Sequence, residues 1–267
     1  MNRSRITGVF ERARQEGRAA FIPYLTAGDP TASMTVELAR ELDRAGADVL
    51  ELGVPFSDPI ADGPVLQRSA ARALAAGTTL SRVWRIAEKI RAETSLALIL
   101  FSYLNPLLRR GLARAAREAR SAGFDGVLVT DVPAEEGAQV QPAFRAANLD
   151  TVFLVSPTST GPRMKGAADL SSGFLYVISR RGTTGVHGSL PPDLAATVSR
   201  ARRAAPQLPI AVGFGIASPR SARAAARLAD GVVVGSALVA LSEETGSVEE
   251  VGRFAVSLSR ACRTREA

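Results

Sequence analysis

The chain is poor in the residues that most often hold metals or form covalent intermediates: among 267 residues it has one cysteine and one histidine. Cys262 alone cannot close a disulfide within the chain and offers no thiolate cluster for zinc, so its place in the last helical stretch points to packing. A metal-dependent lyase needs several His or carboxylate ligands, and His187 stands alone in the 180–190 loop, where it reads as a solvated side chain. Lysine occurs only at Lys89 and Lys165, both on helical or flanking segments, so a Schiff-base aldolase or a pyridoxal enzyme lacks its lysine near a site. No apolar window approaches the ~20 residues of a membrane span, and the opening MNRSR lacks the apolar region of a secretory signal, so a soluble cytoplasmic protein is expected. Aromatics make up 5% of the chain, and the arginines behind its net charge of +7 are scattered along helix-like stretches such as 109–120 and 200–203. The basic and aromatic interleaving of single-strand nucleic-acid binders is missing.

What is present is a repeated alternation. With 46% hydrophobic residues and no evident linker, the chain suits one large domain over 1–267. Short apolar runs recur at 21–25, 49–52, 96–101, 126–129, 151–155, 174–178, 209–212 and 231–234. Alanine- and arginine-rich segments with apolar residues at three- and four-residue spacing separate them, as at 34–42 and 80–90. Thr31, Ser81 and Ser218 stand at the starts of such segments as candidate caps. Strands that are apolar throughout and alternate with helices imply a covered parallel sheet, and eight units close into a (β/α)₈ TIM barrel. An open doubly wound sheet is disfavoured, because LTAGDP follows the first strand where a Gly-x-Gly-x-x-Gly turn would be needed. An extra N-terminal helix is expected over 6–14, and short extra helices inside the βα loops, one of them over 63–75.

The second strand ends in ELGVPFSDPIADGP over 51–64. Glu51 thus sits at a strand's carboxyl end, with two further carboxylates in a loop that Pro and Gly keep out of regular structure. An ionised side chain in an apolar interior must be paired or shift its pKa, so the run reads as the place of the chemistry. VGFGI over 212–216, VGSAL over 234–238 and GTTG over 182–185 end the last three strands. Glycine lets backbone N–H groups approach a ligand there, and Ser236 adds a hydroxyl, as a phosphate site on a barrel requires. Carboxylates beside a phosphate site, without cofactor motifs, leave acid–base work on a phosphorylated substrate.

These stretches, with FIPYLTAGDP (21–30), NP (105–106), DGVLVTDVP (125–133), LVSPTS (154–159), SRRGTTG (179–185) and DGVVVGSA (230–237), closely resemble the tryptophan synthase alpha chain family nearly end to end. The resemblance implies cofactor-free retro-aldol cleavage of indole-3-glycerol phosphate to indole and glyceraldehyde 3-phosphate. It casts Glu51 as general acid–base and Asp62 as the group that holds the indole N–H. It places Tyr176 near the substrate hydroxyls, Phe21, Leu100, Leu128 and Ile216 in the indole pocket, and Gly185, Gly215, Gly235 and Ser236 on the phosphate. It makes 180–190, with Thr184, a lid whose threonine meets Asp62, and gives Asp58 to a contact with a beta chain. The family's beta chain carries pyridoxal phosphate and receives indole by a tunnel in an αββα complex, so no cofactor is expected on this chain. Thr130 and the RGT of 181–183 depart from the commoner pattern, which bears on the lid and on subunit coupling. A stand-alone indole-releasing lyase and a catalytically idle, phosphate-sensing regulatory subunit are the other readings.

Overall fold

In the computed structural model, residues 4–179, 186–187 and 190–263 are described, with 186–187 described in backbone only. In chain order the strands are β1 (Ala20–Thr26), β2 (Val49–Gly53), β3 (Ala97–Ser102), β4 (Gly126–Val129), β5 (Asp150–Val155), β6 (Leu175–Ile178), β7 (Val186–His187), β8 (Ile210–Gly213), β9 (Gly215–Ile216) and β10 (Gly231–Val234). Eight of them close in the order β1-β10-β8-β6-β5-β4-β3-β2, every pairing parallel. The expected TIM barrel is therefore present, and no predicted strand is displaced at either end by more than one residue. The two-residue strands β7 and β9 were not foreseen; they pair with each other outside the barrel, Val186 opposite Gly215.

The helices are α1 (Arg5–Gln15), α2 (Ala32–Arg44), α3 (Pro64–Ala75), α4 (Leu80–Glu93), α5 (Leu104–Arg110), α6 (Leu112–Ser121), α7 (Ala134–Ala146), α8 (Gly161–Leu170), α9 (Leu194–Ala204), α10 (Pro219–Ala226), α11 (Ser236–Thr245) and α12 (Val248–Cys262). Thr31 caps α2 by accepting from Met34 N–H at 3.2 Å, and Ser218 caps α10 through a capping box. At α4 the cap is Thr79 rather than Ser81, which lies within the first turn. The arginine-rich stretch after β3 is broken at Gly111, whose φ of +82° ends α5 and opens α6.

Two apolar clusters share the strands. Residues on the inward face, among them Ile22, Tyr24, Ile99, Phe101, Leu128, Tyr176 and Val233, fill the barrel. The alternate residues, including Phe21, Leu52, Leu100 and Val212, pack against the helical layer. The predicted extra helix is α1; it buries Ile6, Val9, Phe10 and Ala13 in the barrel-interior cluster, Phe10 packing on Phe174 with ring centroids 5.3 Å apart. The amino-terminal end is thereby filled. Opposite it, α3 and α11 are joined by Arg72, which donates to both oxygens of Asp29 at 2.7 Å and to Glu243 at 2.6 Å; Arg68 also grips Glu243.

Candidate active site

Strand alternation explains how a carboxylate comes to lie inside the barrel. Leu50 and Leu52 pack outward, so Glu51 between them faces in, opposite Tyr24 on β1 and Ile99 on β3. It is 1% exposed, and its Oε1 has no hydrogen-bond partner. Burial pushes its pKa up to about 8, so the acid form prevails at neutral pH.

Asp62 reaches the same region from the loop after β2. Its own N–H donates to Pro59 O at 3.0 Å and Gln67 Nε2 donates to its carbonyl at 2.8 Å, which fixes the turn just before α3. The buried carboxylate has its pKa raised to about 6 by desolvation, opposed by a hydrogen bond from Tyr103 Oη to Oδ2 at 3.0 Å. It therefore remains mostly ionised at pH 7. Tyr24 lies near both acids: burial raises its pKa, and the charges of Asp62 and Glu51 raise it further. Its hydroxyl is 3.2 Å from Thr26 Oγ1.

Glu51 lies in the wall of a narrow cavity that opens to solvent. Tyr24, Leu66, Phe101, Tyr176, Phe214 and Val233 supply aromatic and apolar surface. Gly215, Ile216, Gly235 and Ser236 line it as well, which brings the turns after β8 and β10 to one end of the cavity. Gly215 has φ +81°, and the positive φ of Phe214, 69°, folds the chain so that this turn doubles back into the pocket. Ser236 is the first residue of α11, where first-turn N–H groups lack intrahelical acceptors and the helix dipole favours an anion.

Two tyrosines owe their positions to missing side chains. A Cβ on Gly213 would fall 2.1 Å from Tyr176 Oη, and one on Gly53 would fall 2.1 Å from Tyr24 Oη. Each phenol thus lies across a glycine on the neighbouring strand.

The structure brings Glu51, Tyr176, Gly215, Ile216, Gly235 and Ser236 into one cavity wall. Asp62 stands beside it rather than in its lining. Leu128 lies in the barrel-interior cluster but not in the wall. Phe21 and Leu100 pack in the outer cluster against the helical layer, and the side chains of those two strands that line the cavity are Tyr24 and Phe101. Thr184 and Gly185 lie outside the described residues, as does most of the 180–190 loop; the pairing of β7 with β9 carries its later part past Gly215. Asp58 is exposed beside Ile60, which is 70% exposed. Among the described residues no group of three or more His, Cys, Asp or Glu is placed to hold a metal ion, and no helix is long and apolar enough to cross a membrane. Sequence reasoning passed over Tyr24, Leu66, Phe101, Tyr103, Phe214 and Val233; of these, Tyr103 had a usable signal, a tyrosine directly after an apolar strand at the barrel's carboxyl end.

Comparison with known proteins yields one family. The tryptophan synthase alpha chain family profile matches residues 10–264. The tryptophan synthase alpha chain of Solibacter usitatus is 50% identical over 241 residues, covering 90% of each chain. That of Citrifermentans bemidjiense is 44% identical over 260 residues, covering 96% of this chain and 97% of the relative. Among solved structures, Mycobacterium tuberculosis tryptophan synthase superposes with a TM-score of 0.90 at 33% identity, covering 97% of this chain and 98% of that one. The alpha chain from Legionella pneumophila gives 0.88 at 34% identity, with 99% of each covered.

Proposed function

Because the chain belongs to the tryptophan synthase alpha chain family, we propose that it cleaves indole-3-glycerol phosphate into indole and D-glyceraldehyde 3-phosphate by a cofactor-free retro-aldol reaction. The observation that carries this reading is Glu51 itself: a carboxyl group buried in an apolar wall, one oxygen without a partner, in the same cavity as the Gly215 and Ser236 turns.

The reaction needs a proton on indole C3, to make the ring a leaving group, and loss of a proton from the neighbouring hydroxyl as the aldehyde forms. Glu51, held mostly protonated by burial, has a proton to donate and returns as base when ionised. Asp62, mostly ionised, accepts the indole N–H and stabilises the positive charge that grows on the ring. Two carboxyl groups with pKa values pushed to different heights are thereby given different tasks. Tyr176 and Tyr24 supply hydroxyls along the glycerol chain, the aromatic wall takes the indole, and the N–H groups of the Gly215 turn and of α11 hold the phosphate. Gly185 completes that grip, and Thr184 on the lid orients Asp62 as it closes.

The partner in this reading is a tryptophan synthase beta chain, which carries the pyridoxal phosphate, receives the indole and completes an αββα tetramer. Asp58 and the exposed Ile60 put a charged and an apolar side chain on one loop, as such a contact would use. The test is to mix the purified chain with indole-3-glycerol phosphate, with and without a beta chain, and to measure glyceraldehyde 3-phosphate. Release that rises with the beta chain is expected. No release under either condition refutes the reading in favour of an idle sensor, and release indifferent to the beta chain favours a stand-alone lyase.

A further inference from the structure

Tyr103 belongs to neither catalytic loop, yet it touches one of them at three points. It is the residue between β3 and α5, with φ −83° and ψ 161°, and is 3% exposed. Its ring packs on Phe56 with centroids 5.1 Å apart and planes at 33°. Its Oη accepts from Ala61 N–H at 3.0 Å and donates to Asp62 Oδ2 at 3.0 Å. A phenol has a single proton to give. Ala61 N–H can only donate, so its bond leaves that proton to the carboxylate.

We infer that Tyr103 is a positioning residue for Asp62: its hydroxyl pins the loop at Ala61 and occupies Oδ2, leaving Oδ1 for the substrate N–H. The inference rests on the role proposed for Asp62 above. The geometry supports it from both ends. Tyr103 is anchored on the barrel, since the chain on either side is fixed by Val54 N–H to Phe101 O at 2.8 Å and Leu104 N–H to Asp131 Oδ1 at 2.8 Å. Asp62, by contrast, is carried by a loop rich in proline and held by short-range turns. A hydrogen bond to the ionised form also opposes the desolvation that raises Asp62. The other titratable groups around this contact are Tyr24 on β1, whose phenol feels Asp62, and Asp131 after β4, which faces Tyr103. Neither donates to Asp62 in place of Tyr103.

The experiment measures kcat/KM against pH for indole-3-glycerol phosphate cleavage by wild type, Tyr103→Phe and Phe56→Leu, with Asp62→Asn as reference. Tyr103→Phe is expected to lose about tenfold near neutral pH and to move the acid limb upward, so that the deficit shrinks as pH rises. Phe56→Leu removes the ring contact but keeps the hydroxyl, and is expected to keep the wild-type limb. Incorporation of 3-fluorotyrosine at position 103, a stronger donor on nearly the same ring, is expected to move the limb downward and keeps the test open should Tyr103→Phe fold poorly. A uniform loss with an unmoved limb, an equal displacement in Phe56→Leu, or no change in any variant overturns the inference. If the wild type cleaves and Asp62→Asn does not, such results sink the role of Tyr103 alone; if Asp62→Asn keeps wild-type turnover, or the wild type does not cleave, the reading of the site itself fails.

Discussion

The hydroxyl of Tyr176 lies over Gly213 so closely that a methyl group there would fall 2.1 Å from Oη, 2.7 Å from Cζ and 3.0 Å from Cε1. Gly213→Ala must therefore displace the ring from the cavity wall, and kcat/KM is expected to fall by roughly a hundredfold, near 2.7 kcal/mol. Tyr176→Phe on that background recovers little, because Cζ still clashes, whereas Tyr176→Cys recovers more. Equal recovery by both, read in a double-mutant cycle, would count against the steric account.

Glu51 and Asp62 predict a bell-shaped kcat/KM profile, with an acid limb near 6 where Asp62 protonates and an alkaline limb near 8 where Glu51 ionises. Glu51→Gln should abolish turnover while substrate still binds. The same variant reports on stability. The folded pKa of about 8 lies above the ordinary carboxyl value of 4.5, so the native state holds the proton more tightly and wild-type stability declines as pH rises from 4.5 to about 8. The unfolding free energy of Glu51→Gln relative to wild type is expected to grow over that interval and level off above it, by an amount on the order of a few kcal/mol, read from denaturant unfolding at each pH. A constant difference across pH would contradict the raised pKa.

Ser236 opens α11 with its hydroxyl at the cavity. Ser236→Asp puts a carboxylate against the substrate phosphate, and KM should rise by roughly a hundredfold or more through repulsion. An acidic residue in the first turn favours the helix itself, so thermal stability should hold or increase slightly. An unchanged KM would remove the phosphate from this turn.

Ile60 is 70% exposed on the loop that carries Asp58 and Asp62. Ile60→Asp should require about tenfold more beta chain to reach half-maximal activation, a cost of about 1.4 kcal/mol in affinity. Titration of indole release against the beta chain checks this, and an unshifted midpoint would place the partner elsewhere.

The barrel was legible because each strand is a short apolar run bounded by breakers, and the carboxylates were legible because nothing in a core explains them. The lining was harder to read. In a parallel strand buried on both faces, FIPYL and LILFS show no alternation, so sequence alone does not tell Phe21 from Tyr24 or Leu100 from Phe101 as the inward side chain. The register that decides it comes from Tyr24 opposite Glu51, a contact between distant segments. Tyr103 was hidden for a similar reason: its partners are a ring, a backbone N–H and a carboxylate on a loop more than forty positions earlier. The cap at Thr79 rather than Ser81 was a local choice between neighbouring hydroxyls.

The clasp of Arg72 on Asp29 and Glu243 has a mechanical meaning beyond any stability it adds. Helix α3 begins two residues after Asp62 and α11 begins at Ser236, so the clasp makes the acid end and the phosphate end of the cavity parts of one lever. Ions in solution reach the partly exposed Arg72 and Glu243 and weaken that half of the clasp, while Asp29 is buried. Ionic strength thus acts on the shape of the site as well as on its charge, and a salt titration of the enzyme measures the stiffness of that lever.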